Sequence, residues 1–253
     1  MAAPQLSSEK LMEAANGKCA QPQHRNGCSV APHPFQVTSW VFACIAVMGF
    51  YAMVLPVLPE HLWGPMCILY SAFLVLSLSF AAITTLSDPT DPVVVAERKA
   101  NKQQRSFDAT GYSQVCTICK THVQTNSKHC GQCNRCVSGF DHHCKWLNNC
   151  VGSRNYRFFL CLVSTAALQL ALQTALTLYA VDGLFSGDLR ERLQTAYDLT
   201  EEAVRIYSAA LVLFAAGTAV CFLTLLQLLA LHAWLRSKGL TTYEYIIRCR
   251  RKK

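Results

Sequence analysis

Long stretches without a charged residue alternate with polar stretches along this chain. Asp, Glu, Lys and Arg are absent from residues 27–59, 62–87, 158–181 and 206–235. Each stretch is long enough to cross a hydrocarbon core of about 30 Å, which takes roughly 20 apolar residues in a helix. The pattern therefore predicts four membrane-spanning helices, at about 36–58, 63–86, 158–181 and 206–234.

Composition agrees with a membrane protein. Hydrophobic residues make up 52% of the 253 residues, whereas charged residues make up only 15%. The alternative is a soluble domain with four buried core helices, but four uncharged runs of this length are not typical of such domains. Nothing in the chain is typical of nucleic-acid readout, so no nucleic-acid partner is expected.

The basic residues indicate how the helices are oriented. Of the 23 Lys and Arg residues, only three lie in the loop between helices 3 and 4, and none lies between helices 1 and 2. Basic residues accumulate on the cytosolic side of a membrane, so both termini and the central loop are predicted to be cytosolic. The predicted segments are a cytosolic N-terminal segment (1–35), helices 1 and 2 (36–86), a cytosolic cysteine-rich domain (87–157), helices 3 and 4 with a lumenal loop (158–234), and a cytosolic tail (235–253).

The central loop contains one pattern of metal ligands twice, offset by 14 residues. The two copies are Cys116, Cys119, His129 and Cys136, and then Cys130, Cys133, His143 and Cys150. Three thiolates and one imidazole form the ligand set of a closed, tetrahedral zinc site, and a reducing cytosol favours metal binding over disulfides. Grouping the ligands in chain order is the alternative, but it would place the adjacent residues His129 and Cys130 on one metal.

The repeat thus predicts two structural zinc ions with interleaved ligands. The predicted fold class is an all-α polytopic membrane protein, with four transmembrane helices and a cytosolic cysteine-rich two-zinc domain between helices 2 and 3. Because each zinc has four protein ligands, neither keeps the open coordination position that a catalytic zinc needs. Any chemistry must therefore come from other side chains.

One cysteine of the loop, Cys144, belongs to neither ligand set and is the candidate nucleophile. Alternate side chains of an extended segment share a face, so His142 and Cys144 would point together while His143 points toward its zinc. With Asp141, these residues fit the arrangement of nucleophile, base and orienting group. Cys144 would attack, His142 would take or stabilise the thiol proton, and Asp141 would fix the His142 tautomer. The alternative is an inert thiol beside a surface histidine.

These residues match a known family. Asp141-His142-His143-Cys144, in a cysteine-rich loop between the second and third of four spans, resembles the DHHC protein S-acyltransferases. Asn155 and Phe159 match the family's C-x4-N-x3-F continuation after Cys150, and Thr241-Thr242-Tyr243-Glu244 matches its T-T-x-E motif. The family commonly has Asp-Pro-Gly after span 2, whereas this chain has Asp88-Pro89-Thr90. The loss of that glycine is expected to alter the local backbone if the position requires a positive φ.

The resemblance implies a two-step acyl transfer. Cys144 would take a palmitoyl group from palmitoyl-CoA as a thioester and pass it to a cytosolic cysteine, near the membrane, of a membrane-associated protein. Asp141 and His142 would form the activating pair, braced by two structural zinc ions. Thr242 is expected to contact Asp141, Glu244 to tie the tail to the cytosolic unit, and Asn155 to support the site. The implied location is the endoplasmic reticulum or Golgi membrane.

Two other classes of function compete with the enzyme. In a zinc-braced membrane adaptor, Cys144 would be dispensable and the basic cytosolic face would recruit partners. A channel or transporter has little support, because His232 is the only ionisable residue of the types Asp, Glu, Lys, Arg and His in the predicted spans. The intact set of Asp141, His142 and Cys144 favours the enzyme.

Overall fold

The computed structural model describes residues 24–195 and 197–252 of the chain. Most of the predicted N-terminal segment, residues 1–23, lies outside the described residues. Contacts divide the described chain into two compact units. One contains the residues up to Gln36, Ala82–Arg157 and the residues from Lys238 onward, and the other contains Val37–Ala81 and Phe158–Ser237.

Helices account for most of the described residues. They are α1 (Pro34–Gly49), α2 (Glu60–Leu86), α3 (Pro92–Lys102), α4 (Tyr156–Ser186), α5 (Asp188–Thr195), α6 (Glu201–Ser237) and α7 (Thr242–Arg251). A π-helical turn (Phe50–Val54) and a 3-10 turn (Leu55–Val57) extend α1. Among the described residues, four continuous segments are long and apolar enough to span a membrane: Pro34–Val57, Glu60–Leu86, Tyr156–Ser186 and Glu201–Ser237. The predicted fold class with its four spans is confirmed.

Side-chain donors form hydrogen bonds with backbone carbonyl groups at the end of the first span. Carbonyl groups in the last turn of a helix lack partners within the helix and need other donors. The hydroxyl of Tyr207 donates to the carbonyl of Met53, and that of Tyr197 donates to Pro56 over 2.9 Å. The indole of Trp63 donates to the carbonyl of Leu58 over 2.8 Å. These bonds pair three carbonyl groups at the point where the chain leaves the first span.

The helical unit also contains a buried polar contact between spans. Gln173 of α4 is fully buried; it accepts a hydrogen bond from the Tyr70 hydroxyl (2.9 Å) and donates to the carbonyl of Ala46 (3.2 Å). The ring of Phe50 stacks on Tyr70 with a centroid distance of 3.7 Å. In a low-dielectric interior, paired amide and hydroxyl groups hold helices in register, because unpaired ones would be costly.

The other unit contains three short antiparallel hairpins. Their strands are β1 (Gln114–Cys116), β2 (Thr121–Val123), β3 (Lys128–Cys130), β4 (Arg135–Val137), β5 (His142–Cys144) and β6 (Asn149–Val151). They pair as β1 with β2, β3 with β4, and β5 with β6. Every strand of one hairpin lies 14 residues after its counterpart in the preceding hairpin. The turns repeat as well, since Lys120, Asn134 and Asn148 all have φ near 50°.

Asp91 joins helix α3 to the hairpins. Its carboxylate is fully buried and caps the helix by accepting a hydrogen bond from the Val93 amide over 2.8 Å. The other carboxylate oxygen accepts hydrogen bonds from the Gln124 amide, over 2.8 Å, and from the Ser127 hydroxyl. One side chain thus stabilises the helix N-terminus and fixes the loop that precedes β3.

Candidate functional site

The hairpins gather the eight predicted zinc ligands into two sets. These sets are Cys116, Cys119, His129 and Cys136, and then Cys130, Cys133, His143 and Cys150. The ligand atoms of each set lie within 4.8 Å of one another. The sequence partition by a 14-residue offset therefore matches the spatial grouping, and adjacent His129 and Cys130 face different sets.

Ligand distances within each set fit a tetrahedral zinc ion. The sulfur of Cys119 lies 3.4 Å from Nδ1 of His129 and 3.6 Å from the sulfur of Cys136. In the second set, the sulfur of Cys133 lies 3.3 Å from Nδ1 of His143 and 3.4 Å from the sulfur of Cys150. A tetrahedron with metal–sulfur bonds of about 2.3 Å has edges of about 3.7 Å. Donor type, number and spacing all suit zinc, with Nδ1 as the ligating nitrogen.

Each metal site joins two successive hairpins. The turn of one hairpin supplies two cysteines, and the paired strands of the next supply a histidine and a cysteine that lie opposite each other: His129 pairs with Cys136, and His143 with Cys150. A bound zinc would thus link hairpin to hairpin. Because these hairpins contain few large apolar residues, the metals would supply much of the free energy of folding of this region.

The third hairpin places Cys144 at the position of a zinc ligand. Cys144 ends β5 as Cys116 ends β1 and Cys130 ends β3, at intervals of 14 residues. The next ligand position, filled by Cys119 and Cys133 in the earlier turns, is occupied by Leu147. Cys144 is therefore the first cysteine of a third turn that lacks its second ligand. The spacing 116, 130, 144 is present in the sequence, but the third hairpin that gives this spacing its meaning is seen only in the structure.

Asp141 and His142 lie beside Cys144 in the predicted arrangement of residues. Asp141 is buried, and its Oδ2 lies 2.7 Å from Nδ1 of His142. His142 and Cys144 begin and end the extended strand β5, whereas Nδ1 of the intervening His143 faces the cysteines of the second metal set. His143 thus belongs to the second metal set, whereas its neighbours His142 and Cys144 do not, because side chains alternate in direction along an extended strand.

Hydrogen bonds favour the charged forms of this pair. Burial alone would raise the pKa of Asp141, but hydrogen bonds from His142 and Thr242 outweigh it and hold the pKa below its usual range. Burial would lower the pKa of His142, yet its bond to Asp141 and the neighbouring Cys144 thiol raise that pKa to about 9. The pair therefore has a fixed orientation, in which the charged imidazole directs its Nδ1 proton at Asp141.

Helix α7 supplies the other partner of Asp141. The Thr242 amide donates to Oδ1 over 2.9 Å, and the Thr242 hydroxyl donates to Oδ2 over 2.8 Å. The helix begins with a capping box, in which Thr241 and Glu244 exchange side-chain-to-backbone hydrogen bonds. Glu244 was expected to tie the tail to the cytosolic unit. Its side chain accepts a hydrogen bond from the Thr241 amide over 3.0 Å, which stabilises the start of the helix that contains Thr242.

Asn155 connects the third hairpin to the end of α2. It is fully buried, and its amide nitrogen donates to the Ser87 hydroxyl over 2.9 Å and to the carbonyl of Cys150 over 3.0 Å. Its amide oxygen accepts a hydrogen bond from the Gly152 backbone over 2.9 Å. The residue thus holds the loop after β6 against the last turn of the second span.

Two further buried residues near the site are not marked by any motif in the sequence. The Asn149 amide nitrogen lies 2.9–3.1 Å from the carbonyl oxygens of Thr84, Thr85 and Ser87, which end α2. Arg135 is 1% exposed and donates to Asp88 over 3.0 Å and to the Asn149 amide oxygen. No local pattern marks either residue, because Asp88 lies 47 positions from Arg135 and Thr84 lies 65 positions from Asn149.

The Asp88-Pro89-Thr90 segment tolerates the residue that replaces the family's glycine. Thr90 is not among the described residues with positive φ, so the expected change in backbone geometry does not arise. Its amide donates to the Asp88 carboxylate over 3.0 Å, and its hydroxyl donates to the same oxygen. These two bonds hold the turn in which the Asp88 carboxylate pairs with the guanidinium of Arg135.

Comparison with known proteins agrees with this geometry. Residues 109–248 match the sequence model of the family described as DHHC palmitoyltransferase. The chain belongs to the DHHC palmitoyltransferase family. It is 32% identical to human palmitoyltransferase ZDHHC11 over 253 positions, covering 90% of this chain and 60% of the relative.

The chain is also similar to proteins of other organisms. Identity is 35% over 257 positions with mouse palmitoyltransferase ZDHHC1, covering 91% of this chain and 52% of the relative. Identity is 37% over 157 positions with the probable protein S-acyltransferase 20 of Arabidopsis thaliana, covering 61% of this chain and 21% of that protein. The DHHC chain thus spans 60% or less of the length of each of these relatives.

Proposed function

We propose that this DHHC chain is a protein S-acyltransferase that carries a palmitoyl group on Cys144 as a thioester. The observation that carries the proposal is the arrangement of Asp141, His142 and Cys144 on one hairpin. Asp141 lies 2.7 Å from His142, and the Cys144 thiol interacts with the same imidazole. Because both metal sets already have four protein ligands, Cys144 is left as the nucleophile of this hairpin.

The first step would acylate Cys144. With the thiol proton held on His142, the sulfur of Cys144 attacks the carbonyl carbon of palmitoyl-CoA as the thiolate. The bond from that carbon to the coenzyme A sulfur then breaks, and the leaving thiolate takes the proton from His142. Asp141 holds the imidazole in one tautomer throughout, with Thr242 fixing the carboxylate. Zinc, when bound, serves as a structural cross-link between the hairpins.

The second step would transfer the acyl group to a protein. A substrate cysteine loses its proton to His142, and its sulfur attacks the thioester carbonyl on Cys144. The Cys144 sulfur leaves as a thiolate beside the protonated His142, so the enzyme returns to its starting state. The substrates would be membrane-associated proteins whose cysteines lie near the cytosolic membrane surface, because the nucleophile lies in a loop between two spans.

Labelling with a palmitoyl-CoA analogue tests the first step. Purified, zinc-loaded protein in detergent is incubated with the labelled donor and then treated with hydroxylamine, which cleaves thioesters. We expect hydroxylamine-sensitive label on the wild type and on Cys161→Ala, an exposed cysteine in α4 without an assigned role. Cys144→Ala should carry no label while keeping both metals. Absence of label on folded, zinc-loaded wild type would contradict the proposal and favour a zinc-braced adaptor.

The proposed location is the endoplasmic reticulum or Golgi, with both termini and the zinc domain in the cytosol. The distribution of Lys and Arg supports this orientation, since 182–200, the loop proposed to be lumenal, is acidic overall. Glycosylation acceptors inserted near residue 187 or near residue 125 of the full chain would test it. Glycan addition is expected only at the first position, and addition at the second would reverse the topology.

A further inference from the structure

The chain segment that leads into the first span and includes its first residues lies against the turn that follows Cys144. We name residues 24–36 the N-terminal strap. The His24 amide donates to the carbonyl of Cys133 over 3.2 Å, and the Gly27 amide donates to the carbonyl of Thr85 over 2.7 Å. The Arg25 carbonyl accepts from the Arg135 guanidinium over 2.7 Å. The strap is therefore bonded to the second hairpin and to the end of α2.

The strap also contacts each of the four residues after Cys144. The buried side-chain amide of Asn148 donates to the carbonyls of Gly27, over 3.3 Å, and Ala31, over 3.2 Å. The Phe35 ring lies 5.0 Å from the Trp146 ring, and Nζ of Lys145 lies 5.9 Å from the Phe35 ring centre. These contacts fix three of the four residues.

The remaining turn residue, Leu147, is contacted by the backbone of Gly27. A Cβ added at Gly27 would overlap the Leu147 carbonyl oxygen and lie 2.7 Å from the Thr85 methyl group. Only glycine permits this approach, because any side chain would push the strap away from the turn. Gly27 thus determines how closely the strap lies on the turn.

Comparison of the three hairpins indicates why this turn needs a separate support. In the first two hairpins the turn holds a second cysteine, Cys119 or Cys133, which a metal would fix. In the third hairpin Leu147 occupies that position, so no metal would restrain the turn. A two-stranded hairpin by itself is only marginally stable. The strap supplies contacts at the one turn that lacks a metal ligand.

We propose that the N-terminal strap is a positioning segment for Cys144. It takes the place of the missing metal ligand at the turn of the third hairpin and fixes the Cys144 sulfur relative to His142. The strap residues do not touch the reacting atoms; they act through the turn of Lys145 to Asn148. For its effect on rate, this inference rests on the proposed acyl transfer, whereas its effect on the turn does not.

Two substitutions in the full chain test the strap. Gly27→Ala pushes the strap away, and Asn148→Gly removes the side-chain hydrogen bonds while suiting the positive φ of 50° at that position. Gly217→Ala in α6 is the matched control, because a Cβ there meets nothing within 4 Å. Hydrogen exchange of residues 145–149, zinc content, and the kcat and KM of Cys144 acylation are measured for each variant.

We expect both zinc ions to remain, faster amide exchange in residues 145–149, and a fall in kcat of about tenfold or more, since small displacements of a nucleophile are costly. The KM for palmitoyl-CoA should stay within about twofold, as it does when only transition-state alignment is lost. The double variant should lose little more than the worse single variant, because both changes break the same junction. Gly217→Ala should match the wild type.

Two results would overturn the inference. The first is unchanged exchange in residues 145–149 with wild-type kcat in both variants. The second is zinc loss with faster exchange throughout the second hairpin, which would make the strap a general structural support. Failure of the wild type to take up label would refute the acyl transfer instead, and the exchange data would still decide whether the strap holds the turn.

Discussion

Replacing Thr242 by Val removes one hydrogen bond from a buried carboxylate and keeps the side-chain shape. Asp141 is only 3% exposed, and it accepts bonds from the Thr242 amide, the Thr242 hydroxyl and His142. A hydrogen bond to a charged group contributes about 1.5–3 kcal/mol, and a buried acceptor that loses its partner has few substitutes. The two other donors remain, so Asp141 stays charged but is less firmly oriented toward His142.

We expect Thr242→Val to lower the rate constant of Cys144 acylation by about tenfold to a hundredfold, the equivalent of the lost bond. Single-turnover labelling with the palmitoyl-CoA analogue measures this rate, and metal analysis verifies that both zinc ions remain. Thr242→Ser keeps the hydroxyl and should retain most of the wild-type rate. A wild-type rate in folded, zinc-loaded Thr242→Val would refute the view that Asp141 orientation depends on helix α7.

Three further predictions concern the hairpins. Cys133→Ser should lose one zinc and acylation together, because a thiolate ligand is lost, whereas Cys144→Ala should keep two zincs; fewer than two in the latter would assign Cys144 to a metal. Leu147→Cys supplies the ligand that the third turn lacks, so under oxidising conditions the new thiol should block Cys144, and a reductant should restore labelling. Labelling that resists oxidation would mean that the turn differs from its two counterparts. Asn155→Leu should lower the thermal unfolding midpoint, because it leaves the amide of Gly152 and the carbonyl of Cys150 unpaired at about 1–3 kcal/mol each; an unchanged midpoint would show that water replaces these bonds.

The four spans were predictable because their cause is local. A helix in a membrane pairs its own backbone groups, so a run of uncharged residues is sufficient to mark it. The metal sets were predictable for a similar reason: a repeated spacing such as Cys116 and Cys130 reflects a repeated hairpin. The six strands were not assigned from sequence, because each has only three residues and shows no alternation that a pattern could detect.

Contacts between distant segments were not predictable. Asn149 donates hydrogen bonds to carbonyl groups at the end of α2, and Arg135 pairs with Asp88. These partners lie far away along the chain, and no local signal distinguishes Asn149 and Arg135 from other polar residues. Glu244 shows that a contact can be missed even for a residue in a recognised motif. Its motif was recognised, yet its bond to Thr241 within the capping box became clear only from the helix geometry.

The amino-acid sequence by itself determined the four spans, the partition of eight ligands into two metal sets, and the choice of Cys144 as the remaining thiol. Hydrophobic length and ligand spacing carry this information because both act over short distances along the chain. Only the tertiary structure decided that Cys144 lies at the ligand position of a third hairpin, and that Thr242 and the N-terminal strap lie against its neighbours. Those contacts join residues about 100 positions apart or more, and hydrogen bonds at such separations depend on the folded chain.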